Sequence, residues 1–164
     1  MKDKKGQLSG EYLLLIGSLI VILIMSIFLI TNEHELNIAM AAAKSGVTDG
    51  VALSTTAIYP KETFNEYDDK EGLKHPYFVT ILNISYDSMG IDKNYGKQKI
   101  QFKVYAKASQ NYSKKELDSI GDRINYNLRK SIATSFNSTN NTNRLYNPVF
   151  SNNYIFTTAN VVWV

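Results

Sequence analysis

Glu11 is the side chain in this chain with the clearest chemical problem to solve. A carboxylate is costly to hold against apolar surroundings unless a cation or hydrogen-bond donors accompany it. Glu11 stands just before an uncharged apolar run from Leu13 to Ile30 and just after a basic stretch, MKDKKG, in which Lys2, Lys4 and Lys5 outweigh Asp3. Nothing elsewhere assembles into a reactive centre. The two histidines, His34 and His75, lie far apart in the chain, and the absence of cysteine removes thiol nucleophiles, disulfides and cysteine-based zinc sites. No HExxH, phosphate-binding glycine loop or nucleophile elbow is present. The acids Glu62, Glu66, Asp68, Asp69 and Glu71 crowd one segment without the spacing of a calcium loop. No enzyme, no cofactor and no metal site is therefore expected. With 18 Lys+Arg against 15 Asp+Glu and no block of like charge, the net charge of +3 does not call for nucleic acid.

Glu11 is carried by the apolar run. From Leu13 to Ile30 a helix extends about 27 Å at 1.5 Å per residue, close to the roughly 30 Å of a bilayer's hydrocarbon core. Proline is absent from it, and Gly17, Ser18 and Ser26 leave room for a second helix to approach. The basic leader places the N-terminus on the cytoplasmic side and the remainder outside. Helix-favouring residues continue from Leu36 to Ala57, with Ala41, Ala42 and Ala43 supporting the helix, Gly46 and Gly50 weakening it, and Pro60 ending it. The expected helix covers 7–59, with 13–30 in the membrane or a filament core.

The junction is more specific than an ordinary anchor. KKGQLSGEYLLL resembles the class III signal peptides of archaeal type IV pilin-like proteins, whose pattern of Gln, Ser, Glu and Leu is met by Gln7, Ser9, Glu11 and Leu15 behind Lys4 and Lys5. The resemblance covers about residues 4 to 30. It implies a prepilin peptidase that cuts between Gly6 and Gln7, discarding a leader of residues 1–6 and keeping the apolar helix. A secretory signal would be cut behind a shorter apolar region.

That resemblance also implies a task for the acid. Cleavage creates a positive α-amine on Gln7, one helical turn before Glu11, and in such filaments the acid pairs with the new N-terminus of a neighbouring subunit. The implied function is structural: a subunit of a type IV pilus-like surface filament, polymerised through its N-terminal helix and serving adhesion. The implied partners are identical or related pilin subunits, the prepilin peptidase, an assembly ATPase and a membrane platform protein. The precursor would reside in the cytoplasmic membrane and the mature protein in an extracellular filament. Two other readings share these residues: a minor pilin or pseudopilin, and a membrane-anchored extracellular binding domain that never polymerises.

Residues 60–164 are expected to form a small extracellular α+β domain, giving the order α-β-β-α-β with a helix packed on a small antiparallel or mixed sheet. The segment from Lys61 to His75 is charged and aperiodic, a solvated loop. Tyr77 to Tyr86 and Lys97 to Lys107 read as paired antiparallel strands, the second alternating Ile100, Phe102, Val104 and Ala106 against Gln101, Lys103 and Tyr105. Asp87 to Gly96 would connect them. Ser113 and Glu116 form a capping box that starts a helix with Leu117, Ile120, Ile124, Leu128 and Ile132 on its buried face. Asp118, Asp122, Arg123, Arg129 and Lys130 are placed on its wet side. Asn137 to Asn153, with seven asparagines, reads as an exposed loop, and Tyr154 to Val164 as a last strand.

Four Asn-x-Ser/Thr sequons give candidate N-glycosylation sites at Asn83, Asn111, Asn137 and Asn140. The loop positions Asn137 and Asn140 are the better placed, because a glycan needs surface. Asn83, in mid-strand, is open to masking.

Overall fold

The computed structural model describes residues 4–56 and 77–164; the expected loop with its five acids, Pro60 and His75 lies outside the described residues. The elements run α1 (Lys4–Thr56), β1 (Val79–Ile91), β2 (Gln98–Ala108), α2 (Lys114–Ser135), a 3-10 turn (Thr139–Asn141), β3 (Val149–Phe150), β4 (Tyr154–Thr158) and β5 (Val162–Trp163). This is the expected α+β arrangement, a long N-terminal helix followed by a mixed sheet and a helix. The chain divides into two compact units, Met1–Asn37 and Ile38–Val164, so the last third of α1 belongs with the sheet.

Within the second unit, β1 and β2 pair antiparallel from Val79↔Ala108 to Ile91↔Gln98, as their patterns predict. Their connection is shorter than expected. Gly90 and Gly96 adopt positive φ of 81° and 64°, conformations that glycine reaches without a Cβ clash. The turn between the strands is tied by Asp92, whose carbonyl accepts from Gly96 N and whose carboxylate accepts from Asn94 N, each at 2.9 Å. β2 is the spine of the sheet: β4 joins it parallel at Gln98–Phe102, and β5 joins it parallel at Tyr105 and Ala106. The order is β1-β2-β4-β3, which leaves β1 at an edge. The expected terminal strand is thus two strands. The break falls at Ala159, whose amide donates to Phe102 O at 2.8 Å while its carbonyl accepts from Asn125 Nδ2 at 2.8 Å. β3 lies inside the asparagine-rich segment that reads as loop, and its Val149 and Phe150 pair with Phe156 and Ile155.

Alternation on β2 buries Ile100, Phe102, Val104 and Ala106, and α2 buries Ile120, Ile124, Leu128 and Ile132. Each such side chain other than Ala106 contributes about 1.5–3 kcal/mol of transfer free energy. Phe156 gathers aromatic neighbours, tilted against Phe102 at 6.0 Å and stacked on Phe136 at 5.7 Å between ring centroids. α2 begins at its capping box, with Ser113 Oγ accepting from Glu116 N at 3.3 Å and Glu116 Oε2 accepting from Ser113 N at 2.7 Å. Glu116 Oε1 also accepts from the Tyr77 hydroxyl at 3.4 Å, tying the helix start to the residues before β1.

Two features of the helices depart from expectation. Gly46 and Gly50 do not loosen α1; they let α2 lie against it. A Cβ on Gly46 would stand 2.4 Å from Asn127 O, and one on Gly50 would stand 2.9 Å from Ile124 Cα. Arg123 and Arg129, expected on the wet side, are 1% and 9% exposed, whereas Asp118, Asp122 and Lys130 are exposed as expected. α2 is covered on several sides, so a single apolar stripe does not delimit its interior. Arg123 Nη1 donates to Leu53 O at 3.2 Å, in the last turn of α1, where carbonyls lack helical partners and a cation suits the helix dipole. Arg129 Nε donates to Leu145 O at 3.0 Å, and its Nη1 donates to Thr158 Oγ1, joining α2 to the asparagine-rich segment and β4. Burial pushes the Arg129 guanidinium below its ordinary value, and the Asp122 carboxylate opposes that shift.

Candidate functional site

The first part of α1 is a helix with its apolar surface uncovered. From Glu11 to Thr31 every residue is exposed, including Leu14 at 77% and Phe28 at 69%. Exposure continues all the way around the helix, which distinguishes this segment from an amphipathic surface helix with one apolar stripe. Leucine and isoleucine supply much of the segment, and no proline or charge interrupts it between Leu13 and Ile30. The helix is long and apolar enough to cross a membrane.

Its few polar groups are satisfied within the helix. Ser18 Oγ donates to Leu15 O, Ser26 Oγ to Ile22 O and Thr31 Oγ1 to Ile27 O, each at 2.8 Å. A hydroxyl that returns its proton to a preceding carbonyl leaves no unmet donor in an apolar medium. Gly17 has nothing within 4 Å of where a Cβ would stand, so its small size is used by no other described residue. At the segment's start the Tyr12 hydroxyl makes no hydrogen bond among the described residues, and Glu11 is the charged exception. It is exposed, has no salt bridge among the described residues, and is the one charged residue between Gly6 and Asn32.

The residues of the junction fall on one helix. Lys4, Lys5, Gly6, Gln7 and Ser9 all lie in α1, as do Glu11 and Leu15; the side chains of residues 4–9 lie outside the described ones. A Gln7 backbone nitrogen and Glu11 are thereby one turn apart in the same element.

The sequons are all at the surface. Asn83, Asn111, Asn137 and Asn140 are each exposed, so Asn83 is not masked by its strand. The reason is its place: β1 is an edge strand, and the pairing shifts register between Ile81 and Asn83. Asn137 takes a positive φ of 51° just after α2, and Asn140 sits in the 3-10 turn. Among the described residues, no three His, Asp or Glu side chains come together as a metal site, and His34 is an exposed residue of α1.

Sequence reasoning did not find Arg123, Arg129 or the close crossing at Gly46 and Gly50. The glycines' four-residue spacing is the signal that could have marked the crossing, since small residues one turn apart form a flat contact strip. Comparison with family models, with curated proteins and with solved structures gives no match.

Proposed function

We propose that this chain is a structural subunit of a type IV pilus-like surface filament of the archaeal kind, cut between Gly6 and Gln7 and polymerised through the exposed part of α1. The observation that carries the reading is a single helix holding Gln7, Ser9, Glu11 and Leu15 in the pilin-like order, followed by an apolar surface with no partner among the described residues. An ordinary anchor accounts for the apolar surface. It gives Glu11 no partner beyond headgroup water, whereas in a filament core the buried carboxylate needs a cation to offset its desolvation. A neighbouring subunit's Gln7 α-amine supplies that cation.

On this reading the precursor waits in the cytoplasmic membrane, and a prepilin peptidase removes residues 1–6. An ATPase motor and a membrane platform protein then move the helix from lipid into a bundle of like helices. The apolar surface exchanges one dry environment for another, so helix packing and the Glu11 pair decide the order of assembly. The sheet and α2 would cover the outside of the fibre, where they contact surfaces or cells. Shearing cells that produce the chain with its processing and assembly machinery should release it as high-molecular-mass fibres. Recovery only as a membrane-bound form with its leader intact would instead identify an anchored, non-polymerising domain.

A further inference from the structure

The C-terminal segment folds back across the first half of α2 and leaves a cleft of about 340 Å³ between them. Three contacts hold its walls. Asn125 Nδ2 on α2 donates to Ala159 O, Ala159 N donates to Phe102 O, and Val164 N donates to Ala106 O at 2.9 Å. Gly121 permits the approach, because a Cβ there would stand 3.3 Å from Val161 Cβ. The polar and aromatic lining consists of Lys114, Asp118, Asp122, Asn125, Asn160 and Trp163.

This lining has unused hydrogen-bonding capacity. Asn125 is 5% exposed, and its Oδ1, without a hydrogen-bond partner among the described residues, is itself closed off from solvent, so the capacity open to a ligand lies in the exposed groups. Lys114, Asp118 and Asn160 are exposed, and among the described residues none of their side chains spends a hydrogen bond on the protein. The site therefore presents carboxylate and amide acceptors, amide and ammonium donors, and one indole.

The mixture discriminates between ligand classes. An organic cation would use only the acceptors and leave the Lys114 ammonium and Asn160 amide donors unused; an anion would meet two carboxylates. A neutral ligand dense in hydroxyls uses both sets, since each hydroxyl donates and accepts, while its C–H face lies against an aromatic ring. We propose that this cleft is a binding site for a neutral saccharide, a hexose or N-acetylhexosamine unit, with Trp163 as its apolar wall and Asp118, Asn160 and Lys114 as hydroxyl partners. The inference stands on the α2 and C-terminal residues alone and holds whether or not the chain forms filaments.

Trp163 is the sole tryptophan, so its fluorescence reports on the cleft directly. The full chain, held in a phosphocholine detergent that carries no sugar, is titrated with the methyl glycosides of glucose, galactose, mannose and N-acetylglucosamine, and separately with arginine amide. At least one glycoside should change the emission saturably. Asp118→Asn and Asn160→Ala, both at exposed positions, should each weaken that response by about tenfold, the loss of one or two hydrogen bonds, with unchanged circular dichroism. No saturable response to any of the four glycosides would overturn the proposal. So would a response to arginine amide alone, or a glycoside response equally strong in both variants.

Discussion

Gly46 and Asn127 touch through their backbones. A Cβ on Gly46 would come within 2.4 Å of Asn127 O and 2.8 Å of Leu128 Cα, atoms that belong to the main chain of α2 and cannot rotate aside. Helix α1 is thus part of the globular unit's interior from Ala39 onward, with Ala39, Ala43 and Val47 buried along the same stretch.

Gly46→Ala should therefore destabilise the globular unit by about 1–3 kcal/mol or more, against an intrinsic helix preference that favours alanine by up to about 1 kcal/mol. Gly17→Ala is the control, because nothing lies near that position and the substitution should leave the unit's stability unchanged. Urea unfolding followed by circular dichroism, on the full chain in detergent, separates the two. Equal midpoints for both variants would show that the helices do not cross as described.

Sequence patterns made the main elements legible where one periodicity dominates. β2 alternates cleanly because α2 and the core lie on one side of it, and α2 starts where Ser113 and Glu116 form their box. Reading failed where burial came from several directions. Arg123 and Arg129 look solvated by type, but α1, the asparagine-rich segment and β4 each bring an acceptor to them. β3 escaped notice for a similar reason: two residues pairing with β4 leave no pattern in a segment rich in turn formers. Of the site, the charge and apolar pattern around Glu11 was readable, whereas the cleft at Trp163 depends on a chain reversal that spacing does not encode.

Ser113→Ala removes the acceptor for Glu116 N and breaks the capping box. A loss of about 0.5–2 kcal/mol in unfolding free energy is expected. Ser109→Ala serves as comparison, since Ser109 Oγ donates to Phe78 O in a loop and caps no helix. Hydrogen exchange at the first turn of α2 should accelerate in the Ser113 variant alone.

Arg129→Lys keeps the charge but not the fork that reaches Leu145 O and Thr158 Oγ1 together. One of the two acceptors then loses its donor, at a cost of about 1–3 kcal/mol. Unfolding curves for the variant should shift accordingly. An unshifted curve would mean that the asparagine-rich segment is held without Arg129.

Glu11→Gln should leave processing intact, because the Gly6–Gln7 bond and the basic leader are unchanged. Assembly should suffer: loss of about 1.4 kcal/mol per pair corresponds to tenfold weaker association at each step. Quantifying sheared fibre against total cellular protein tests this, and an unchanged fibre yield would remove Glu11 from the account.

The central claim is most directly tested at the N-terminus of the surface form. Intact-mass and N-terminal analysis of the sheared, purified fibre should find Gln7 as its first residue, with MKDKKG absent. A surface form that begins with Met1 and retains the leader would contradict the filament-subunit reading.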